Sequence, residues 1–484
     1  MRNKEGDLLG RLLCFVWVTI TLREKHKGRE GMYQTLLTNE RLRPSSRGKE
    51  SIAQEVESDR SRVLYSASFR RLQRKTQVFP LEDNAAVRTR LTHSLEVAHV
   101  GRFLATSVIQ RVSEKGLIAS WGLDLTDFKH AFVVTVEVAC LLHDIGNPPF
   151  GHFGEAAIAK WFTKCSAKNS YFNDFTGFDG NPQGFRIVTK LNGSDGLTGM
   201  NLTLSQLAST LKYPSTPSEK SRYKKFGAFF TEQEALKDVR DKFSLRPEQR
   251  HPLAYLMEAA DDICYCLSDI EDGVEKRLLT HDKFIDELMS EVDSATSVKL
   301  IVEATRDSAR AASKVDETVA FRSALVRRFV AAAASNYVDE HEEIMSGSLQ
   351  EVIQEDSEYG LLLTAIKKVV RNNVYTDPSI QSLELSGYAA ITGLLDRFGI
   401  LLEVPREKFL CLLAPGARIA GYDVEKRLVD FIAGRHVSTY RQAVESCNDD
   451  DESWHRAHLI VDYISGMTDS FAMEMHKILG GTKW

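Results

Sequence analysis

The segment LLHDIGNPPFGHFGEAA, residues 141–157, gathers side chains that can bind metals and transfer protons. His143 and Asp144 are adjacent, and His152 and Glu155 follow after two prolines. Histidine and carboxylate together bind divalent metals such as Mn, Fe, Co or Zn, whereas an all-oxygen set suits Mg or Ca better. Adjacent helical residues point about 100° apart, so both can reach one ion only at a helix end. The Gly-Asn-Pro-Pro break that follows provides such an end.

Further ligands are needed to complete a metal site around this pair. A His-Asp pair alone is weak evidence, but a polar pair at the end of an apolar helix is costly to bury without a partner. His93, in the first turn of a predicted helix, and the acidic pair Asp261 and Asp262 are candidates. Helical spacing leaves the choice between the two aspartates open, because each shares a helix face with Asp269.

Helical patterns dominate the elements that must position these residues. Residues 89–112 have apolar side chains near a 3.6-residue period, with Thr89 or Thr92 as N-cap. Residues 130–144 form an apolar run whose length favours a buried helix. Further helices are predicted at 252–278, 297–336, 349–369, 423–433 and 454–479.

Strand-like alternation is sparse, so the predicted fold class is mainly α. Residues 173–199 are predicted to form a long loop or a small β excursion, and residues 212–230 a second loop. Loops of that length inside a compact domain are usually functional or mobile. The region after about residue 280 is predicted to form a second helical lobe.

Composition narrows the classes of function. The chain has 484 residues, of which 43 % are apolar and 27 % charged, as in ordinary globular proteins. A net charge of -5 argues against a protein whose whole surface binds nucleic acid. The basic stretch 60–90 fits either a salt-bridged helix face or a local polyanion site. Seven cysteines without a CxxC pair predict free thiols in a reducing cytoplasm.

The first 31 residues stand apart from this pattern. Their apolar segment, residues 8–22, is shorter than the roughly 20 residues that a membrane span needs, and no clean cleavage site follows it. A signal anchor and a packed N-terminal helix or strand are alternatives. We favour a mis-called translation start, with Met32 as the alternative start, because Met32 opens a polar segment that leads into the folded region.

Several long motifs, in this order, resemble one enzyme family. They lie at 58–82, 88–102, 143–157, 178–188, 211–214, 258–272 and 462–472. From about residue 40 to the end, the chain resembles the bacterial deoxyguanosinetriphosphate triphosphohydrolases, a branch of the HD-domain phosphohydrolase superfamily.

This resemblance implies an HD-domain helical core with an additional C-terminal helical lobe. The organisation expected from it is an N-terminal extension at 1–31, a helical segment with the basic stretch at 32–88, the metal-dependent HD domain at 89–278 and a C-terminal helical region at 279–484.

The resemblance also implies the roles of individual residues. The metal ligands would be His93, His143, Asp144 and Asp261, with Mn or Mg as the expected metal and Co, Fe or Zn also compatible. His152 would act as general acid or base with Glu155 as its partner, and the proton that it moves stays open. Substrate contacts would come from Gln77, Asn181, Lys212, Lys225, Tyr265, Asp269 and Arg427.

Within that set, Tyr265 and Asp269 would face the sugar, where the tyrosine ring would crowd a ribose 2′-hydroxyl. Lys212 and Lys225 would meet the negative charge of the triphosphate. Arg427 would reach the site of a neighbouring subunit.

The reaction implied is hydrolysis of dGTP to deoxyguanosine and inorganic triphosphate, by attack of water at the α-phosphorus. Alternatives are a broad-specificity dNTP triphosphohydrolase, another HD phosphohydrolase that releases monophosphate, and a non-catalytic nucleotide or nucleic-acid sensor. The resemblance further implies a homo-oligomer, such as a hexamer, with single-stranded DNA as an effector.

Overall fold

The structure, a computed structural model, describes residues 31–45, 51–166, 172–193, 199–219, 221–445 and 447–482. The helices are α1 (Met32–Leu36), α2 (Ile52–Leu64), α3 (Ala67–Arg71), α4 (Arg90–Glu114), α5 (Thr126–Leu142), α6 (Gly151–Ser166), α7 (Asn173–Thr176), α8 (Gly180–Arg186), α9 (Leu204–Thr210), α10 (Gln233–Phe243), α11 (Pro252–Glu275), α12 (His281–Glu291), α13 (Ala295–Ser308), α14 (Lys314–Asp339), α15 (His341–Ser346), α16 (Glu358–Val370), α17 (Pro378–Gly399), α18 (Arg406–Leu412), α19 (Asp423–Phe431), α20 (Gly434–Val444), α21 (Asp449–Ser465) and α22 (Asp469–Leu479). Residues 1–30 lie outside the described part, so the predictions for the N-terminal extension stay predictions.

The mainly α fold class is confirmed. Within the ranges described, β structure is limited to two isolated antiparallel bridges, Arg41 with Thr203 and Thr76 with Thr89. The expectation of a loop or β excursion at 173–199 is wrong for its first part. That part forms α7 and α8, and α8 continues as a π-helical turn at Ile187–Leu191. Asp179 makes this possible, because its carboxylate caps α8 by accepting a hydrogen bond from the Asn181 N–H.

The start of α4 and the end of α5, next to the two histidines, lie where the sequence indicates. Thr89 is the N-cap of α4, and its hydroxyl accepts a hydrogen bond from the Thr92 N–H. This places His93 in the first turn of α4. At the other end of the motif, α5 ends at Leu142 with His143 as its C-cap residue.

Two predicted helices are each divided in the structure. The predicted helix at 297–336 is interrupted between α13 and α14, where Ser313 caps the start of α14. The predicted helix at 454–479 is interrupted between α21 and α22, where Thr468 caps α22. In both cases the apolar pattern continues across the break, so it predicts one helix. The capping hydroxyl accepts hydrogen bonds from the first amides after the break and thereby starts a new helix.

Two hydrophobic clusters form the core. The larger cluster joins α4, α5, α11 and α14, with Val97, Val136, Ile263 and Phe329 fully buried. The second cluster joins α6 with α17, α21 and α22. The candidate site described below is lined by residues of helices from both clusters.

The predicted basic stretch does not form one surface. Lys75, Arg88 and Arg90 are buried. Arg88 pairs with Glu96 at 2.8 Å and with Asp272 at 2.5 Å, so its charge is neutralised inside the protein. Buried cations require such partners, because leaving water is costly for an unpaired charge. Only part of the stretch is therefore available to a polyanion.

Candidate active site

Three helices bring a group of metal-binding side chains together. His93 from α4, His143 at the end of α5 and Asp261 from α11 offer ligand atoms that lie within 4.8 Å of one another. His93 Nε2 is 3.3 Å and His143 Nε2 is 3.5 Å from the same oxygen, Asp261 Oδ1. Two imidazoles and a carboxylate around one point form a donor set for a divalent metal.

The hydrogen bonding of His143 supports this assignment. Its Nδ1 lies 2.7 Å from the carbonyl oxygen of Cys140, which can only accept, so Nδ1 carries the proton. Its Nε2 therefore presents a lone pair, and this atom is buried without a hydrogen-bond partner among the described residues. A buried acceptor without a donor is expensive unless a ligand satisfies it. The residues present fit a divalent metal.

Asp144 lies at the edge of this group. Its Oδ2 is 3.5 Å from His143 Nε2 and accepts a hydrogen bond from Arg90 Nη1 at 2.6 Å. Its Oδ1 accepts from the Asn147 side chain at 2.5 Å. Burial raises the pKa of Asp144, but Arg90 and the two histidines outweigh it and lower the pKa to about 2. Asp144 is thus held ionised, as a metal ligand must be.

Asp262, the alternative that spacing left open, points elsewhere. Its carboxylate lies 3.6 Å from Lys367 Nζ of α16 and is not part of the three-residue group. By contrast, the pKa of Asp261 is lowered well below its usual range, because His143 and His93 outweigh the effect of burial. The geometry favours Asp261 over Asp262 as the ligand.

His152 and Glu155 form a hydrogen-bonded pair on the first turn of α6. His152 Nδ1 is 2.7 Å from Glu155 Oε2, and this hydrogen bond raises the pKa of His152. The other oxygen, Glu155 Oε1, accepts from the Gly180 N–H of α8 at 2.8 Å. Glu155 is therefore buried and fixed from two sides, whereas 80 % of the His152 side chain is exposed. An oriented imidazole with one free nitrogen is suited to proton transfer.

The metal group and this pair line one cavity of about 730 Å³. The other predicted residues that line it are Gln77, Asn181, Lys212, Lys225 and Tyr265. Gln77 carries a buried amide oxygen without a partner among the described residues. Asn181 Nδ2 donates to Asp179 Oδ1 at 2.5 Å.

Both lysines are already beside carboxylates. Lys212 Nζ is 3.4 Å from Glu258, and Lys225 pairs with Asp179. Burial lowers the pKa of each lysine, but the neighbouring carboxylate outweighs it and raises the pKa. Both side chains therefore stay cationic and can attract an anionic ligand.

Asp269 and Arg427 do not line the cavity. Asp269 is fully buried behind it and accepts a hydrogen bond from the Tyr375 hydroxyl, whose oxygen also lies 2.9 Å from the Tyr265 hydroxyl oxygen. Burial raises the pKa of Asp269 to about 7. Arg427 is exposed on α19 and donates to the Asp423 carbonyl of its own helix at 2.8 Å.

Sequence reasoning missed the contribution of the region after residue 360. Lys367, Tyr375, Gln381, Glu384 and Leu385 also line the cavity. No motif links them to the HD segment, and they occupy ordinary helix positions on α16, on the π-helical turn Arg371–Tyr375 and on α17. Polar residues at the start of an apolar helix such as α17 were the one available signal.

Comparisons with known proteins agree with this geometry. An HD domain model matches residues 90–266, and a phosphohydrolase-associated domain model matches residues 426–478. The fold and site thus define an HD-domain protein, a class that implies a divalent metal.

Relatives named deoxyguanosinetriphosphate triphosphohydrolase match nearly the whole chain. The one from Yersinia enterocolitica serotype O:8 / biotype 1B (strain NCTC 13174 / 8081) is 36 % identical over 494 residues, covering 90 % of this chain and 96 % of the relative. That from Yersinia pestis (strain Pestoides F) is 37 % identical over 495 residues, with the same coverage. That from Enterobacter sp. (strain 638) is 36 % identical over 488 residues, covering 90 % and 95 %. The chain belongs to the deoxyguanosinetriphosphate triphosphohydrolase family, and the resemblance found in the sequence is confirmed.

Proposed function

We propose that this protein hydrolyses dGTP to deoxyguanosine and inorganic triphosphate with a divalent metal, Mn or Mg. The observation that carries the proposal is one cavity that holds the His93, His143 and Asp261 group together with the His152 and Glu155 pair. A non-catalytic sensor would not need an oriented proton-transfer pair next to a metal group.

His93, His143, Asp144 and Asp261 would hold the metal. When bound, a divalent metal lowers the pKa of water and neutralises charge on phosphate oxygens. Lys212 and Lys225 meet the triphosphate, which displaces Asp179 from Lys225 because it carries more negative charge. His152 moves a proton, and Glu155 keeps its ring in place with the help of the Gly180 amide.

Tyr265 and Tyr375 form the wall against which we place the deoxyribose. Their hydroxyls are hydrogen bonded to each other, and the Tyr375 hydroxyl also binds buried Asp269. A wall fixed in this way leaves a ribose 2′-hydroxyl without room and without a free partner. This arrangement supports selection of a deoxynucleotide.

Product analysis tests the reaction. The protein is incubated with dGTP and Mn or Mg, and the products are separated by ion-exchange chromatography. We expect deoxyguanosine and inorganic triphosphate in equal amounts, and dGMP with pyrophosphate would overturn the proposal. An Asp144→Ala variant is expected to lose turnover. Parallel assays with the other dNTPs and GTP distinguish a strict dGTP hydrolase from a broad-specificity dNTP enzyme.

We infer that the protein forms a homo-oligomer, such as a hexamer, in which Arg427 reaches a neighbouring site. Support comes from the exposed position of Arg427 and from Leu385, which lines the cavity with 63 % of its surface exposed. An exposed leucine at a cavity rim is suited to contact with a second subunit. Light scattering after size-exclusion chromatography tests the oligomer. An Arg427→Ala variant with unchanged Michaelis constant and turnover would contradict the contact.

We also infer that single-stranded DNA is an effector, and a basic groove on the protein supports this inference. The groove has a volume of about 530 Å³ and is lined by Arg43, Arg62, Arg70, Arg435 and Tyr65, among others. The Tyr65 ring is 81 % exposed, and exposed rings among arginines are suited to stacked bases and phosphates. Hydrolysis rates with and without a single-stranded oligonucleotide test this inference, with Arg70→Ala as the variant expected to lose any response.

We place the protein in the cytoplasm. In the part of the chain that the structure describes, one segment, residues 378–403, has the length and hydropathy of a membrane span. It contains α17, whose residues Ala390, Ile391, Leu394 and Leu395 are fully buried in the second hydrophobic cluster. We interpret it as a core helix, because its start also lines the cavity. Fractionation of the native host tests the location.

A further inference from the structure

A second cavity, with a volume of about 200 Å³, lies at the C-terminal end of α8. Arg186 and Lys190 line it from α8 and the π-helical turn, and His436, Thr439 and His455 line it from α20 and α21. It shares no lining residue with the candidate active site. A cavity that holds one buried water has a volume of about 15 Å³, so this cavity can hold a ligand of several heavy atoms.

Two cations, Arg186 and Lys190, and one carboxylate, Asp462, line this cavity. Lys190 forms no hydrogen bond or ion pair with any described residue, although it is partly buried. The carboxylates of Asp462 and Glu232 are both engaged by Arg186, at 2.8 Å and 2.7 Å. Neither carboxylate forms an ion pair with Lys190, although the charge of Lys190 acts to lower the pKa of Glu232. A lysine ammonium that lines a cavity and forms no ion pair can attract an anion.

The two histidines are neutral, and His436 has an unused polar atom. His436 is 6 % exposed, and its Nδ1 is buried without a hydrogen-bond partner in the described ranges. Burial lowers the pKa of His436 and of His455 to about 4; the Asp462 carboxylate opposes this effect at His436, whereas Arg186 adds to it at both histidines. A neutral imidazole can donate to an oxygen through one nitrogen, whereas the Thr439 hydroxyl at the same cavity already donates to the Arg435 carbonyl oxygen at 3.2 Å.

We propose that this cavity binds a phosphate-type oxyanion and that its occupancy is transmitted along α8 to Glu155. A tetrahedral oxyanion matches an ammonium that forms no ion pair and two imidazoles, which together offer donors and positive charge. A divalent cation does not match, because the Asp462 carboxylate already binds Arg186 and Gln183.

The route to the proton-transfer pair is short. The first residue of α8, Gly180, donates its amide to Glu155, and the last, Arg186, lines the second cavity. A side chain at Gly146 would come within 2.1 Å of the Gly180 oxygen and the Gly184 nitrogen, so α8 also packs tightly against the turn after Asp144. A small displacement of α8 would therefore move both Glu155 and the turn that follows Asp144 in the candidate active site.

Equilibrium dialysis with radiolabelled inorganic phosphate tests binding, independently of the proposed hydrolase function. We expect a phosphate site that Lys190→Ala weakens by about tenfold or more, since a charge-assisted contact is lost. Lys237→Ala, which removes an exposed lysine from α10, is the matched control and should bind as the original protein does. A Lys212→Ala variant separates any phosphate bound at the candidate active site. Phosphate binding that is indifferent to Lys190→Ala would overturn the proposal.

A parallel titration with dGMP identifies the source of the oxyanion. Lys190-dependent binding of phosphate alone assigns the site to the free anion, and binding of both assigns it to the phosphate group of a nucleotide.

A second experiment measures whether phosphate bound at this cavity changes the rate of dGTP hydrolysis, and it rests on the proposed function. At saturating dGTP, where competition at the active site no longer matters, phosphate is expected to change kcat at least twofold. Lys190→Ala should abolish that response, whereas Lys237→Ala should keep it. A phosphate site without a Lys190-dependent change in kcat would refute the transmission along α8. Absence of any dGTP hydrolysis would instead refute the proposed function and leave the binding arm to stand on its own result.

Discussion

Asp469 accepts a hydrogen bond from the backbone N–H of Phe150 at 3.0 Å, across 319 positions of the chain. Its other oxygen accepts from the Thr76 N–H at 2.8 Å and from the Thr76 hydroxyl. Phe150 has a φ of 61°, in the left-handed region that a phenylalanine rarely adopts. The first residue of α22 thus holds in place two segments that line the candidate active site.

An Asp469→Asn variant should therefore lose activity more than stability. The amide offers one acceptor in place of two, so one of the backbone N–H groups loses its partner at a cost of about 1–3 kcal/mol. We expect kcat for dGTP to fall about tenfold or more, measured at saturating substrate. Asp430→Asn, on exposed α19, is the control that should leave kcat unchanged. Equal effects of both variants would contradict a role for Asp469 in positioning Phe150.

A matched pair of variants tests the choice of aspartate. One carboxylate oxygen of Asp261 lies next to the Nε2 atoms of both His93 and His143, whereas the Asp262 carboxylate lies next to Lys367. We expect Asp261→Asn to weaken Mn binding by about 100-fold or more, and Asp262→Asn to leave it nearly unchanged. Isothermal titration with Mn on the metal-free proteins measures both. The reverse order would show that the other helix face carries the ligand.

The pH dependence of hydrolysis should shift when Glu155 is neutralised. The hydrogen bond to Glu155 raises the pKa of His152, so Glu155→Gln should lower that pKa. If His152 acts as a base, the acidic limb of the kcat profile moves to lower pH. If it acts as an acid, the alkaline limb moves to lower pH. The limb that moves identifies the proton that His152 transfers, and a profile that keeps both limbs would refute the assignment.

Removal of the Tyr375 hydroxyl should relax sugar selection. Tyr375→Phe frees the Tyr265 hydroxyl and leaves Asp269 without its donor, so a 2′-hydroxyl gains partners that it lacks in the original wall. We expect the ratio of kcat/KM for dGTP over GTP to fall about tenfold. Competition assays with both nucleotides measure this ratio. A ratio unchanged from that of the original protein would exclude Tyr375 from sugar selection.

The stability of the fold should depend on a buried histidine between pH 6.5 and 4. His341 stacks on Trp121 with ring centres 3.9 Å apart, and burial lowers its pKa to about 4. Its folded pKa lies below the unfolded value, so its contribution is intact above pH 6.5 and is lost as the pH falls towards 4.

His341→Phe keeps the ring and removes the titration. It should leave stability at pH 7 nearly unchanged and raise the free energy of unfolding at pH 5 by about 2 kcal/mol relative to the original protein. Urea unfolding at the two pH values measures the difference. Exposed His99→Gln is the control, and a pH-independent effect of His341→Phe would contradict the burial of a neutral imidazole.

Local features of the sequence were enough for much of the site. The Gly-Asn-Pro-Pro break predicts that the helix at 130–144 ends next to His143 and Asp144, and the structure has His143 as the C-cap residue of α5. Thr89 predicts the start of α4 and so the place of His93, because N-cap chemistry acts within one turn. The spacing of three residues predicts contact of His152 with Glu155, and the two side chains are hydrogen bonded.

Other relationships could not be read from local features. Asp261 and Asp262 both occupy plausible helix faces, and the choice depends on which face of α11 packs towards α4 and α5. Tyr375 and Lys367 reach the cavity only because α16 packs against α11. Contacts between residues far apart in the chain are set by packing of whole helices, which no short window of sequence records.

The sequence by itself therefore determined the mainly α fold, the family and the residue types that can bind a metal and move a proton. Only the tertiary structure decided that Asp269 lies behind the cavity instead of in its wall, that Asp469 holds Phe150, and that Lys190 and His436 line the same second cavity. The physical reason is the distance along the chain over which the two kinds of interaction act. Helix caps and turns are settled by interactions within about one helical turn, whereas burial and pairing depend on which distant surfaces exclude water together.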